Sequence, residues 1–322
     1  MKFQIKTKGG EAGVLNKQVE TFLNELPKPD NPPPLVEVPP QAIRMAPSTT
    51  APLNLDPAHV AIEEIAITAR DGHQVKIRIY RQNEDSTGAP LIYFHGGCWI
   101  FCNIDTHDSV CRQLCQDTGK TVFSVDYRLA PEHKFPTGIQ DSYDAALWIS
   151  QNNELLNTTD DDLLVCGDSA GGNISTVVTL MALESKEFKV RGQMLFYPIT
   201  DISRIDTISY EKFKKDYFLT KELMEYGSNH YINNEADRRN PLISPLLSKN
   251  LSAMPKTLIQ TAEFDVLRDE AEAYAEKLAN AGVDVECVRY NGLIHAYINL
   301  AGRVTQGREA MNDAAVFFNS FK

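Results

Sequence analysis

The sequence predicts an α/β protein, a mostly parallel sheet covered on both faces by helices. Three observations carry this. Short β-rich runs alternate with segments of helical periodicity from residue 60 onward. Several of those runs are apolar at every position, as strands buried on both faces must be. One of them leads directly into a glycine-flanked serine and then an apolar helix, a strand–turn–helix unit. Strand–helix alternation of this kind belongs to a layered α/β domain.

In chain order, Val14, Leu15, Val19, Phe22, Leu23 and Leu26 fall at helical spacing and predict an amphipathic helix over 10–26. Two readings of its apolar stripe stand side by side: packing on the flank of its own domain, or a lid over a site. Ten of the 17 prolines then lie between Pro27 and Pro57, so this stretch reads as an extended, irregular strap. Residues 1–58 thus read as an amphipathic helix followed by a proline-rich strap. Strands are expected at 60–68, 73–81, 90–95, 121–126, 162–167, 192–197, 256–262 and 284–290, the first two as a hairpin about Gly72. Helices are expected at 107–118, 138–153, 171–185, 268–281 and 304–321, the fourth closed by Gly282 in the left-handed C-terminal position. Residues 201–250 are too long for a simple crossover and read as an insertion with helices of its own. The core is therefore 59–200 together with 251–322.

Composition narrows the partners. With 32 Lys and Arg against 43 Asp and Glu the net charge is −11, and no basic block offsets it. Nucleic acids and anionic membranes demand a positive face, so neither is an expected partner. No apolar run approaches the roughly 20 residues that span a bilayer. The opening residues carry lysines without a following apolar stretch, so a cytoplasmic protein is expected. The pairs Cys98/Cys102 and Cys111/Cys115 share a C-x-x-x-C spacing that invites a metal or redox reading. Cys111 and Cys115 fall with Val110 and Leu114 on one apolar helical face, where free cysteine acts as a small hydrophobe. No metal and no cofactor are expected.

Gly167-Asp168-Ser169-Ala170-Gly171 is the one G-x-S-x-G of the chain. Its place between a buried strand and an apolar helix is the setting of a nucleophile elbow, in which small flanking residues leave room for a strained serine backbone. A serine hydroxyl is a weak nucleophile and needs a base, oriented in turn by a carboxylate. Only His230 and His295 lie downstream. His230 is inside the insertion, whereas His295 follows the last strand after an Asn291-Gly292 turn, so His295 is the base. Among Glu263, Asp265 and Asp269, the last starts a helix and is explained by capping and the helix dipole. Glu263 abuts the strand. Asp265, on the open loop, is the acid, supported by Glu263. Acyl transfer also needs donors for the developing oxyanion. The N–H of Ala170 is one, and the loop His95-Gly96-Gly97-Cys98-Trp99 after the third core strand supplies the others. His95 is expected to brace this loop.

With these residues in place, the chain from about residue 60 onward resembles the bacterial hormone-sensitive-lipase-like esterases of the α/β-hydrolase superfamily. The resemblance rests on H-G-G-C-W at 95–99, D-Y-R-L-A-P-E at 126–132, G-D-S-A-G-G-N at 167–173, Y-P at 197–198, A-E-F-D-V-L-R-D at 262–269 and H-A-Y at 295–297. It implies the α/β-hydrolase fold with an eight-stranded sheet, a cap made of the N-terminal segment and the 201–250 insertion, and a cofactor-free serine esterase for short- to medium-chain esters. It also implies Ser169, Asp265 and His295 as triad, and Gly96, Gly97, Cys98 and Ala170 as the oxyanion region. Asp126, Tyr127, Arg128 and Glu132 carry over as fold-supporting residues, and Asp168 marks the subgroup with aspartate before the nucleophile. One departure stands out: the family's third loop glycine is here Cys98, whose thiol is a candidate target of thiol reagents. An amidase or peptidase on the same fold is a further reading. So is a silent ligand-binding protein, which the presence of His295 disfavours. Trp99, Phe101, Phe213, Tyr217 and Phe218 are candidates for pocket lining or for packing. The 284–290 strand, at the sheet edge, offers a route to a homodimer.

Overall fold

The computed structural model describes residues 3–46, 60–82, 88–156, 158 and 162–321; the expected boundary at 58/59 lies outside them. Nine strands form one sheet: β1 (Lys6–Gly9), β2 (Ala61–Thr68), β3 (Gln74–Arg81), β4 (Leu91–Phe94), β5 (Val122–Asp126), β6 (Leu163–Asp168), β7 (Val190–Phe196), β8 (Lys256–Phe264) and β9 (Val285–Ile294). Their order is β1-β9-β8-β7-β6-β4-β5-β3-β2, parallel except for β3 against β5 and the β2–β3 hairpin. All eight expected runs are strands. The sheet has one more than the eight expected, because β1 pairs in parallel along β9. All four residues of β1 are exposed, so no apolar pattern announces it. It also occupies the edge of β9, which closes the expected dimer route through 284–290.

The helices are α1 (Lys17–Glu25), α2 (Pro40–Met45), α3 (Asp108–Thr118), α4 (Thr137–Gln151), α5 (Asn153–Leu156), α6 (Ala170–Ser185), α7 (Ile208–Lys212), α8 (Lys221–Tyr231), α9 (Arg268–Asn280) and α10 (Thr305–Asn319). The strap is not wholly irregular: Pro40 opens α2 at its first position, where a missing N–H is not needed. Helix α1 buries Val19 and Phe22 on the domain's flank, and Phe22 also meets Phe218 of the insertion with ring centroids 5.8 Å apart. Residues 201–250 supply α7, α8 and two short 3-10 turns, as expected of an insertion with its own helices. No helix among the described residues is long and apolar enough to cross a membrane.

Two details of the sheet place chemistry. Strands β8 and β9 run past their expected ends, and Phe264 pairs with Ile294, so Asp265 and His295 emerge side by side. Gly292 is not in a turn before His295. It lies within β9 at φ +79°, where the register shifts by a bulge that only a glycine accommodates without strain.

Candidate active site

The carboxyl ends of β4, β6, β7, β8 and β9 lie consecutively along one sheet edge, and each delivers part of the site. This edge is where open α/β sheets place their ligands.

Ser169 stands between the end of β6 and the first residue of α6 with φ 56° and ψ −118°, a conformation that costs a residue bearing a Cβ. Close packing enforces it. A Cβ at Gly167 would overlap the carbonyl of Gly171, and one at Gly171 would overlap that of Phe94. The Ser169 N–H is donated to Phe196 O at 2.9 Å, and Ser169 O accepts from Ile199 N at 3.2 Å. Asn173, one turn into α6, donates its side-chain amide to Ile199 O and Ile243 O, so the elbow is tied to both core and insertion.

His295 and Asp265 are joined, Nδ1 to Oδ2 at 2.8 Å, with both side chains buried. A carboxylate only accepts, so Nδ1 carries the proton and Nε2 keeps its lone pair. The other Asp265 oxygen accepts from Leu267 N at 3.0 Å, which fixes the carboxylate's orientation. The Tyr197 ring, just past β7, packs on the imidazole at 4.5 Å. No hydrogen bond joins Ser169 Oγ to His295 among the described residues. Such contacts often close only around a substrate.

Glu263 sits behind this pair, as a supporting residue should. Its carboxylate accepts from Gly292 N at 2.9 Å and from Gly13 N at 2.6 Å, binding the bulge before His295 to the N-terminal segment. Asp269 does more than favour the start of α9: it accepts from Ser209 N at 2.8 Å, while Ser209 Oγ donates to Val266 O, so α7 is laced to the loop of Asp265. His230 hydrogen-bonds the carbonyl of Tyr226 within α8 and takes no part here.

The loop after β4 is held from beneath. Gly96, expected among the oxyanion donors, gives its N–H to Asp168 Oδ1 at 2.9 Å. Asp168 also accepts from Tyr93 Oη at 2.6 Å and lies 3.2 Å from His107 Nε2. Burial alone would raise its carboxyl pKa. The charge and hydrogen bond of His107 and the hydrogen bond from Tyr93 outweigh burial, so Asp168 lies below the ordinary carboxylate range and is ionised. His95 braces the loop as expected: Nδ1 meets Gly96 O at 2.7 Å, and the ring stacks on Tyr127 at 4.3 Å. Burial and then His107 push its pKa down to about 3, so His95 is neutral. Tyr127 Oη donates to His95 O at 2.7 Å, Arg128 pairs with buried Asp141, and Glu132 pairs with Arg44 of α2. Of the fold-supporting residues, Tyr127 thus meets this loop directly and Glu132 acts on it through Arg44, whereas Arg128 ties its own segment to α4. Arg44 also donates to Ile100 O and Ala130 O, a contact of the strap with the loop that no local motif signals.

The N–H groups of Gly97, Cys98 and Ala170 have no acceptor among the described residues, which leaves them free for an oxyanion. Cys98 is buried, and burial lifts its thiol pKa to about 12, which counts against the expected sensitivity to thiol reagents. Of the aromatics, Trp99 stacks on Tyr231, Phe213 meets Tyr217 and Phe264, and Phe218 meets Phe22, so these four serve packing.

Comparison with known proteins agrees with this geometry. A family model described as alpha/beta hydrolase fold matches residues 91–299. The chain is 38% identical over 229 residues to an arylesterase of Saccharolobus solfataricus, covering 71% of this chain and 74% of that protein. It is 35% identical over 254 residues to an ethyl acetate hydrolase of Pseudomonas putida, covering 78% and 80%. Among solved structures, an esterase of Pyrobaculum calidifontis superposes with a TM-score of 0.87 at 34% identity, covering 95% of this chain and 98% of that one. A thermostable esterase of Pseudomonas putida superposes with a TM-score of 0.89 at 33% identity, covering 97% and 99%.

Proposed function

Since the chain belongs to the α/β-hydrolase family, in its hormone-sensitive-lipase-like branch, and is a carboxylic ester hydrolase, we propose that it cleaves short- to medium-chain esters through an acyl-enzyme on Ser169. The observation that carries this reading is the buried Asp265–His295 pair, emerging side by side from β8 and β9 on the edge that also bears the strained Ser169.

In this reading His295 Nε2 takes the proton of Ser169 Oγ as the oxygen attacks the ester carbonyl. The carbonyl becomes an oxyanion, held by the N–H groups of Gly97, Cys98 and Ala170. Asp265 keeps the imidazole in the Nδ1–H tautomer and stabilises the imidazolium. The intermediate collapses as His295 passes the proton to the leaving alcohol, and the acyl group stays on Ser169. A water then gives its proton to His295, attacks the acyl carbon and releases the acid, with Ser169 reprotonated. Gly96 supports the oxyanion loop through Asp168 instead of donating to the oxyanion.

The same proposal assigns the 201–250 insertion, with α1 and α2 of the N-terminal segment, to a cap over this edge, leaves β1 to the core sheet, and places the protein in the cytoplasm on small ester substrates. The expectation is hydrolysis of a p-nitrophenyl ester series from acetate to laurate, strongest at the short end and absent in Ser169→Ala. Turnover retained by Ser169→Ala would refute the assignment.

A further inference from the structure

Cys98 has φ +51° and Trp99 φ +62°, both in the left-handed region that disfavours a Cβ. Yet Cys98 and the residue before it, Gly97, carry two of the three proposed oxyanion donors. Something outside the loop must hold it, and the contacts point to α8. Met224, Gly227 and Tyr231 recur at the i, i+3, i+7 spacing of one helix face. Cys98 Sγ lies 3.9 Å from Met224 Sδ, and the Trp99 indole stacks on the Tyr231 ring at 4.4 Å with an interplanar angle of 3°. Between these two contacts, a Cβ added at Gly227 would fall 2.7 Å from Cys98 Cβ and 3.3 Å from Cys98 O.

That approach is closer than real Cβ atoms tolerate, and no rotamer change relieves it, because Cys98 Cβ is fixed to its own Cα. Backbone must move. Helix α8 is itself fastened on its far side, by Tyr226 Oη donating to Val38 O at 2.5 Å, and at its end by Phe135 N donating to Tyr231 O at 3.0 Å. The loop is fastened beyond position 98 by Ala130 N donating to Trp99 O at 3.0 Å.

We propose that Cys98 and Gly227 are a matched pair through which the insertion's helix α8 sets the position of the oxyanion donors, Gly227 being a positioning residue for the Cys98 N–H. The extra carbon where the family has a glycine seats in the space left by a missing carbon on the helix. The inference rests on the serine-esterase reading above. It adds that the insertion is part of the catalytic apparatus and that positions 98 and 227 depend on one another.

The test compares the unmodified chain, Gly227→Ala, Cys98→Gly and the Cys98→Gly/Gly227→Ala double variant, by kcat and KM on p-nitrophenyl butyrate and by thermal melting. Separating two Cβ atoms to ordinary contact needs a shift of roughly 1 Å, a displacement that costs on the order of a hundredfold when it falls on a catalytic group. Gly227→Ala should lower kcat about ten- to a hundredfold with KM changed less than about threefold. The double variant should match Cys98→Gly, since without Cys98 Cβ the new methyl meets only the 3.3 Å contact with Cys98 O. A folded Gly227→Ala with unaltered kcat overturns the pairing, and so does an equal kcat loss in the Cys98→Gly background. Should Gly227→Ala fail to fold, the Cys98→Gly pair of proteins decides alone: equal kcat supports the pairing, a loss overturns it. No turnover by the unmodified chain would overturn the esterase reading and the pairing with it.

Discussion

Removing the Asp168 carboxylate should cost this protein twice, once in stability and once in turnover. The side chain is buried and ionised, and it accepts from Gly96 N at 2.9 Å and Tyr93 Oη at 2.6 Å, with His107 Nε2 at 3.2 Å. Asp168→Ala leaves the Gly96 N–H and the Tyr93 hydroxyl buried without an acceptor, at about 1–3 kcal/mol each, or about 2–6 kcal/mol in all. For a chain of 322 residues that corresponds to a melting point lower by roughly 3–10 °C. The kinetic effect follows from what Gly96 precedes. A Cβ at Gly96 would overlap the Asp168 carboxylate, so the loop rests directly on it, and Gly97 and Cys98 come next in the chain. With that seat gone at least one oxyanion donor is misaimed, and kcat should fall about a hundredfold or more with KM little changed. Asp168→Asn keeps an acceptor oxygen and the shape and loses only the charge, so its losses should be smaller, about 1–3 kcal/mol and roughly tenfold in kcat. Steady-state kinetics on p-nitrophenyl butyrate with calorimetric melting would measure both. An Asp168→Ala protein that melts normally with kcat within threefold of the unmodified chain would refute the reasoning.

Asp265→Asn should lower kcat on the order of 10⁴-fold without unfolding the protein, since an amide cannot hold His295 in the Nδ1–H tautomer as a carboxylate does; melting temperature measured beside kcat checks both parts. All six cysteines are free, five are buried, and burial lifts the thiols of Cys98 and Cys102 to about 12, so iodoacetamide at neutral pH should leave activity intact over times that consume a model thiol. Inactivation in step with Cys98 labelling would contradict this. The hydrogen bond from Arg44, with Gln41 and the Arg44 charge adding to it, draws the Glu132 carboxyl from 4.5 to about 2. Because the folded value is the lower one, the unfolded chain takes up the proton first. The contribution is full above about pH 4.5 and is lost as pH falls toward 2. The melting-point gap between the unmodified chain and Glu132→Gln should be small, as solvent screens this partly exposed pair, and should narrow over that interval. A gap that widens there would be inconsistent with the pairing.

Much of this architecture is legible in the residues because local and tertiary demands coincide. Strand β4 is apolar throughout, β6 is apolar up to the serine motif, both are wholly buried, and Gly167 and Gly171 stand where a Cβ cannot fit. Asp265 and His295 are adjacent because two neighbouring strands end together. What escaped notice depends on partners far along the chain. Lys6–Gly9 becomes a strand only because β9 offers an edge, and its own four residues are exposed. Gly292 reads as a turn glycine beside Asn291, yet β1 and β8 keep that segment extended around a bulge. Gly96 looks like its glycine neighbour until Asp168, 72 residues away, claims its N–H. Helix α2 begins at a proline in a proline-rich strap, where composition argues for extended chain and only position permits a first turn. Nothing in the spacing of Cys98 and Gly227 marks them as neighbours.

The central claim is that Ser169 is a nucleophile activated by His295 and held by Asp265. It is tested most directly by stoichiometric labelling with a p-nitrophenyl alkylphosphonate, followed by intact mass and peptide mapping. Ser169 Oγ should displace p-nitrophenolate from phosphorus, giving one adduct per chain on the peptide that contains Gly167–Gly171. Labelling should be absent in Ser169→Ala and strongly slowed in His295→Ala. An unlabelled chain, or an adduct that persists in Ser169→Ala, would contradict the account.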